Sequence, residues 1–266
     1  MFAVPSGMRI AIQVEYDGCR FAGWERQPKA RTIQAELEQA LSRVADRRVD
    51  VICAGRTDAG VHAYGQVVHF DTESRRPMHS WVFGANANLP RDVAVTWAGI
   101  VDSSFHARFS ARGRQYRYVI YNRAVRPAVL RGRVAWECRR LDESRMQTAA
   151  DYLLGEHDFS AYRALTCQAQ NPVRTIQRLE VHRRGELVFI EVVANGFLHH
   201  MVRNIVGVLT AIGIGKREPV WAQEVLETRD RTQGGATAVP DGLYLVGVDY
   251  PQHFGIPRVS PPGALW

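Results

Sequence analysis

The chain has 266 residues, 46% hydrophobic and 23% charged, with 22 Gly and 12 Pro, a globular composition that excludes the disordered, collagen-like and low-complexity classes. Thirty-four Lys and Arg against 27 Asp and Glu leave a formal charge of +7, and Lys occurs only at Lys29 and Lys216. Arginine's planar fork of donors grips phosphate and stacks on bases, so the balance points to phosphate-bearing partners, with a coding bias toward Arg as the even alternative.

Arg9 to Glu15 alternates, Ile10, Ile12 and Val14 on one side and Arg9, Gln13 and Glu15 on the other. That period of two predicts a strand with one wet face, antiparallel or at a sheet edge. Thr32 can cap a helix whose apolar positions Ile33, Leu37, Leu41 and Val44 recur at helical spacing, leaving Glu36, Glu38 and Arg43 outward. Val49 to Ala54 and Gln66 to Phe70 read as strands on either side of the loop Gly55-Arg56-Thr57-Asp58-Ala59-Gly60-Val61-His62. Further strand signals fall at Val93 to Ile100, Gln115 to Tyr121, Thr175 to His182 and Leu187 to Ala194, and helical patterns at Asp142 to Leu154 and His200 to Ile214. Strands interrupted by helices predict an α+β fold. The first hundred residues read as β, α, β, β, α, β, a split βαβ unit, and the second half as a decorated version of it. A boundary near Ser103 to Ser110 divides the chain into an N-terminal α+β half, residues 1–105, and a C-terminal half, residues 106–266, with one continuous sheet expected through both.

Cys19, Cys53, Cys138 and Cys167 lie far apart, without a CxxC pair or a Cys-His spacing suited to zinc, and read as isolated thiols of a reducing compartment. The opening MFAVPSGMRI lacks the pattern of a signal peptide, and Asn204 to Gly215, the longest uncharged apolar stretch, is far short of the roughly 20 residues of a membrane helix. The expected place is the cytoplasm, with no membrane partner.

In the loop, Asp58 stands two residues from Arg56 between glycines that permit a tight backbone. A neighbouring guanidinium favours the ionised carboxylate, which suits a nucleophile and not a general acid. Composition alone favours a plainer reading, a polar turn in which Asp58 caps backbone amides. Without a resemblance to draw on, Tyr116, which alternates with Tyr118 and Ile120 on a strand, and Leu243 both read as core residues.

The motif GRTDAGVHA around Arg56 and Asp58 does not stand alone. With it come Tyr16-Asp17-Gly18 through Gly23-Trp24, the Thr32-Ile33-Gln34 helix start, Phe105-His106-Ala107-Arg108-Phe109-Ser110-Ala111, Tyr116-Arg117-Tyr118, and Met201-Val202-Arg203-Asn204-Ile205-Val206-Gly207. Together they resemble the TruA family of tRNA pseudouridine synthases nearly end to end. Two positions depart from the family pattern: Glu25 follows Gly-Trp where Gln is usual, and Val239 falls in Ala238-Val239-Pro240-Asp241-Gly242-Leu243 where the family usually has Ala-Pro before Gly-Leu.

The resemblance implies a pseudouridine synthase fold, α+β, with a mostly antiparallel central sheet, flanking helices and two related halves. It implies an isomerase that detaches uracil from C1′ of its ribose and rejoins it through C5, without cofactor or metal, at positions 38, 39 and 40 of the tRNA anticodon stem-loop. Asp58 then corresponds to the catalytic nucleophile. Arg203 corresponds to an arginine that keeps Asp58 ionised and aligned, and Tyr116 to the tyrosine that stacks on the flipped uracil and serves in proton removal from C5. Arg56 assists the flip, and Leu243 and His62 complete the substrate-binding set. Family members act as homodimers, an expectation no residue pattern here locates. Arginines at Arg47-Arg48, Arg75-Arg76, Arg112 to Arg117, Arg131 to Arg140 and Arg183-Arg184 fit a broad surface for folded RNA. Two rival classes remain: an RNA-binding or chaperone protein in which Asp58 has no essential role, and a metal-dependent nuclease or hydrolase drawing on Asp58, His62, His69, His199 and His200, which lacks a spacing such as HExxH.

Overall fold

The structure, a computed structural model, describes residues 7–259. Residues 1–6, which carry most of the stretch read above for a signal peptide, and residues 260–266, assigned above to the C-terminal half, lie outside the described residues. The described chain divides into two compact units: one takes the residues through Arg112 and those from Leu245 onward, the other runs from Gly113 to Tyr244.

The first unit contains β1 (Met8–Tyr16), α1 (Ile33–Ala45), β2 (Ile52–Cys53), β3 (His62–Thr72), α2 (Met78–Asn88) and β4 (Val93–Val101), the alternation read from the sequence. β1 pairs antiparallel on both sides, with Ile10 opposite Phe70 of β3 and Ile100 of β4. It is therefore an interior strand. Its second face is not wet: Gln13 is buried, and Ala11 lies in a cluster with Val67, Phe105 and Ala107. The cover comes from the far end of the chain, where Tyr250, Phe254 and Ile256 pack against that cluster and the Gln13 amide donates to the Pro257 carbonyl.

Thr32 is the N-cap of α1, but its hydroxyl makes no capping bond and is buried with no hydrogen-bond partner among the described residues. Ile33, Leu37 and Leu41 are buried as the period requires, and so is Glu38, which the pattern placed outward. Its carboxylate accepts the Val51 N–H at 3.1 Å and the Gln34 amide at 2.9 Å, and pairs with Arg26 at 3.2 Å. The same bonds shorten β2. Over Val49 to Ala54 the sequence predicts a strand, yet the Val49 and Val51 N–H groups go to Ser42 Oγ and Glu38, and only Ile52–Cys53 forms a ladder with β3.

The second unit contains β5 (Gly113–Asn122), β6 (Ala135–Glu137), α3 (Glu143–Asp151), β7 (Gly155–Asp158), β8 (Val173–Arg184), β9 (Leu187–Ala194), α4 (Met201–Gly213) and α5 (Trp221–Thr228). Its strands run in the order β5-β9-β8-β7, all antiparallel, with β6 parallel to β5. Asp142 caps α3 by accepting the Ser144 and Arg145 N–H groups. Helix α4 buries Val202, Ile205, Val206, Leu209 and Ile212. The last strand, β10 (Leu243–Asp249), starts in the second unit and from Leu245 on lies beside β3 in the first. The fold is thus α+β with mostly antiparallel strands, as the sequence predicts. No helix among the described residues is long and apolar enough to cross a membrane.

Candidate active site

The loop between β2 and β3 is shaped by residues that touch its backbone. The Gln66 amide donates to the Gly55 carbonyl at 2.6 Å, and Gln66 Oε1 accepts the Gly55 N–H at 3.4 Å. Thr57 presents its carbonyl to the Trp24 N–H at 3.0 Å and shares a 2.8 Å bond between its hydroxyl and that of Tyr16. The loop closes where Val61 N–H donates to the Asp58 carbonyl at 3.2 Å, with Gly60 at φ +81°. Gly23 has φ +97°, and a Cβ there would stand 2.8 Å from the Thr57 carbonyl oxygen; a Cβ on Gly18 would stand 2.0 Å from that of Val61. Both glycines admit the loop at a distance that no side chain allows. Asp58 is half-buried in this frame, while Thr57 is buried.

Arg56 projects into solvent, two-thirds exposed, with its guanidinium 2.7 Å from Glu25 Oε1. The departure from the family pattern at Glu25 therefore meets a residue expected to act on substrate. Cys53 is buried, and burial pushes its thiol up to about 12, against the opposing pull of Arg56, so it stays a thiol at neutral pH.

His62 is buried at the start of β3, where its Nδ1 accepts the Gly18 N–H at 3.1 Å. The same Nδ1 lies 3.3 Å from Asp17 Oδ1. Asp17, Cys19 and His62 each bring one potential metal ligand within 4.8 Å of the others. Asp17 Oδ1 already caps the Cys19 N–H, and His62 Nδ1 holds Gly18. Two of the three donors are committed to the backbone, an arrangement that builds a turn. Arg56, Asp58 and His62 thus belong to one turn and its anchor.

In the second unit, Tyr116 is a buried residue of β5 opposite Val192 of β9, its ring edge-on to Phe197 with centroids 5.0 Å apart. Phe197, in the segment between β9 and α4, carried no sequence signal. Tyr118 lies on the same face of β5 and donates from its hydroxyl to the Val239 carbonyl at 2.8 Å. Burial raises the Tyr118 hydroxyl far above its ordinary value, with Arg203 opposing, so it remains a donor.

Arg203 stands in the first turn of α4. Its Nε donates to the Ala238 carbonyl at 2.7 Å, and the Ala238 N–H donates to the Arg203 carbonyl at 3.1 Å. The preceding residues lie flat on α4, for a Cβ on Gly207 would stand 1.9 Å from the Ala236 carbonyl oxygen. Asn204 fixes this loop from beneath: its Oδ1 accepts from Thr237 Oγ1 at 2.7 Å and from Arg231 at 3.1 Å, while its amide donates to the Tyr162 carbonyl. Pro240–Gly242 then turns, and Leu243 opens β10, buried. Arg203, Tyr118 and Leu243 are joined by the short segment that the first two hold at Ala238 and Val239.

A family model described as tRNA pseudouridine synthase matches residues 12–110 and 149–251. The tRNA pseudouridine synthase A of Nitrosococcus oceani is 59% identical over 259 residues, covering 97% of this chain and all of that protein. Its counterpart in Coxiella burnetii is 55% identical over 251 residues, 94% of this chain and 96% of that one. In Alcanivorax borkumensis the protein of that name is 56% identical over 259 residues, 97% of both. Among solved structures, a chain in the crystal structure of a Cbf5-Nop10-Gar1 complex superposes with a TM-score of 0.37 at 13% identity, covering 76% of this chain and 45% of that one, a likeness too slight to carry an argument.

Proposed function

Because the chain belongs to the tRNA pseudouridine synthase family, we propose that it acts on the anticodon stem-loop at positions 38, 39 and 40, with Asp58 as its nucleophile and a flipped uridine as the reacting base. The family makes it an isomerase that converts uridine to pseudouridine in tRNA. The observation that most supports the Asp58 assignment is the glycine-bounded loop whose backbone Gln66 and Trp24 hold and whose Thr57 hydroxyl bonds that of Tyr16, leaving the Asp58 side chain in a fixed frame.

The reaction breaks the bond between N1 and C1′, turns the uracil, forms a bond between C5 and C1′, and moves the C5 proton away while N1 gains one. Whether the carboxylate bonds to C1′ or draws a proton to give a glycal, it must start ionised. Arg203 is assigned to keeping it so, consistent with a guanidinium fixed at the start of a helix by the Ala238 carbonyl. Tyr116 is assigned to stacking on the uracil and to removal of the C5 proton, and the edge-on Phe197 supports its ring orientation. The stacked target must leave the helix at a cost of a few kcal/mol, and exposed Arg56 is the group assigned to steady the vacated space. Leu243 lines the base site, and His62 serves it by holding Gly18 under the loop. A homodimer gripping one tRNA in the cytoplasm completes the reading.

The test is tritium release from tRNA labelled at uridine C5, with chelator present, comparing the native protein with Asp58→Asn. Release by the native protein alone supports the reading. RNA cleavage that chelator abolishes, without tritium release, points instead to a metal-dependent hydrolase, and tight binding without release or cleavage points to an RNA-binding protein.

A further inference from the structure

Among the described residues two phenylalanines stand largely open to solvent, Phe83 at 71% and Phe109 at 76%. Phe83 belongs to α2, which packs on α1 and β4. Phe109 belongs to the motif Phe105-His106-Ala107-Arg108-Phe109-Ser110-Ala111, and its neighbours there build a closed turn. Phe105 is buried against Tyr250 and Phe254, with ring centroids 5.1 Å from each. His106 and Ser110 clasp each other: Ser110 Oγ accepts the His106 N–H and the Ser110 N–H donates to the His106 carbonyl, both at 2.9 Å. His106 Nδ1 accepts the N–H groups of Arg108 and Phe109, each at 3.2 Å. The turn therefore fixes the backbone of Phe109 and leaves its ring outside.

The ring is backed by His106, at a centroid distance of 4.3 Å and an interplanar angle of 31°. His106 in turn lies 4.8 Å from the His69 ring, so three rings step outward from β3 to the surface. The guanidinium of exposed Arg108 stands 5.6 Å from the Phe109 centroid, at the outer reach of a cation–π contact. The motif contains no Asp or Glu. A flat exposed ring, backed by a second ring and beside a cation, is the kind of surface on which nucleobases stack. Because the turn holds it before anything binds, little ordering is lost on contact.

The turn is tied to the strands that carry the Asp58 loop. Ala107 N–H donates to His69 Nδ1 at 3.2 Å, and His69 lies opposite Ile52 in the ladder of β2 and β3. Ala107 also shares an apolar cluster with Ala54, the residue before Gly55 where the loop begins. The charges of Arg56 and Arg108 both oppose the burial that raises the Cys53 thiol, so the two guanidiniums lie within electrostatic reach of one residue at the root of the loop. We propose that Phe109 is a stacking platform for an unpaired base of the substrate RNA near the uridine presented to Asp58. Bases within a duplex have both faces covered, whereas those of a loop can be splayed onto a protein ring. The inference rests on the proposed function and deepens it: a loop base is held by its face rather than its edge, a contact that every base can make and that tolerates changes of sequence.

The experiment measures binding of an unmodified tRNA transcript over a range of salt, together with tritium release and melting temperature, for the native protein, Phe109→Leu and Phe109→Trp. Leu keeps an apolar side chain without a ring, and Trp keeps a ring. Phe109→Leu is expected to weaken binding about tenfold, with the salt slope unchanged because no phosphate contact is lost. Its KM should rise more than its kcat falls, its melting temperature should stay where it is, and Phe109→Trp should bind as the native protein does. Anticodon stem-loops carrying one abasic nucleotide at each loop position in turn supply the second arm: at one position the native protein loses about the same factor, and Phe109→Leu loses nothing further there. Equal tRNA affinity of the native protein and Phe109→Leu, a loss that Trp does not restore, or equal sensitivity of native and Leu proteins at every abasic position overturns the platform. A changed sedimentation coefficient of Phe109→Leu with tRNA affinity retained also overturns it and assigns the ring to a protein contact. Absence of tritium release by the native protein overturns the functional reading, while the binding arms still report on the ring, so the two failures are separable.

Discussion

Glu25 Oε1 lies 2.7 Å from the Arg56 guanidinium, in an ion pair whose members are each more than half exposed. An exposed pair of this kind contributes little to stability, yet it places a carboxylate where an RNA phosphate would compete for the same donors. Glu25→Gln, which restores the residue usual in the family, should leave the melting temperature unchanged. It should tighten tRNA binding about two- to fivefold at low salt, with the gain shrinking as salt rises. Binding isotherms at two ionic strengths check this; equal affinities at both would show that Glu25 does not compete.

Gln66 is the loop's main side-chain anchor, fully buried and bonded to both polar groups of Gly55. Gln66→Leu keeps the volume and removes both bonds, at a cost of about 1–3 kcal/mol for the orphaned carbonyl. The expected outcome is a lower melting temperature and a fall in kcat with tRNA affinity nearly retained, read by thermal unfolding and single-turnover tritium release.

Asn204 has the same function beneath Arg203. Truncation to Ala removes the acceptor shared by Arg231 and Thr237 and the donor to Tyr162. Destabilisation of about 2–4 kcal/mol is expected, and because the freed loop carries Ala238, the kcat of the surviving folded protein should fall too. A variant that unfolds earlier but turns over normally would separate the loop from the chemistry.

His69 sets a pH dependence. It is buried, its Nδ1 accepts the Ala107 N–H at 3.2 Å, and burial, with the charge of Arg9 next, pushes its pKa down to about 4. In the unfolded chain it titrates near the ordinary imidazole value of 6.5. Between these values the unfolded state binds the proton and the folded state does not, so stability is full above pH 6.5 and falls as pH drops toward 4, by at most about 3 kcal/mol. His106, lowered chiefly by burial, acts in the same direction. Urea midpoints at pH 7, 6 and 5 should therefore fall steadily for the native protein and fall less for His69→Gln.

Much of the fold was legible because local periods agree with local packing. α1 and α4 bury the apolar stripe of about 3.6 residues that their sequences carry, and β1, β3, β4, β5, β8 and β9 fall where apolar and β-branched runs place them. The errors arise where a distant segment changes what a face meets. Gln13 reads as solvent-facing until Pro257 and its neighbours arrive over it, and Glu38 reads as outward until Val51 presents an N–H with no other acceptor. Helix α2 could not be located from its residues, since Met78–Asn88 buries only Trp81 and Ala85 and carries no continuous stripe. At the candidate site the loop was visible through its glycines and its Arg-Asp pair. Gln66 was hidden because a polar residue in an apolar strand looks like a wet face, and Phe197 because a lone aromatic in a connecting segment has no period to betray its partner.

The packing of Tyr250, Phe254 and Ile256 on Ala11, Phe105 and Ala107 also bears on synthesis. The unit that carries Asp58 starts at the N-terminus but receives its last core residues after the whole second unit has been translated, a delay of roughly ten seconds or more at ordinary elongation rates. Until then one face of β1 stays apolar and uncovered. A nascent chain stalled before Leu245 is therefore an incomplete first unit rather than a working half, and emergence of Tyr250 to Ile256, more than emergence of the Asp58 loop, marks the moment at which that unit can close its core.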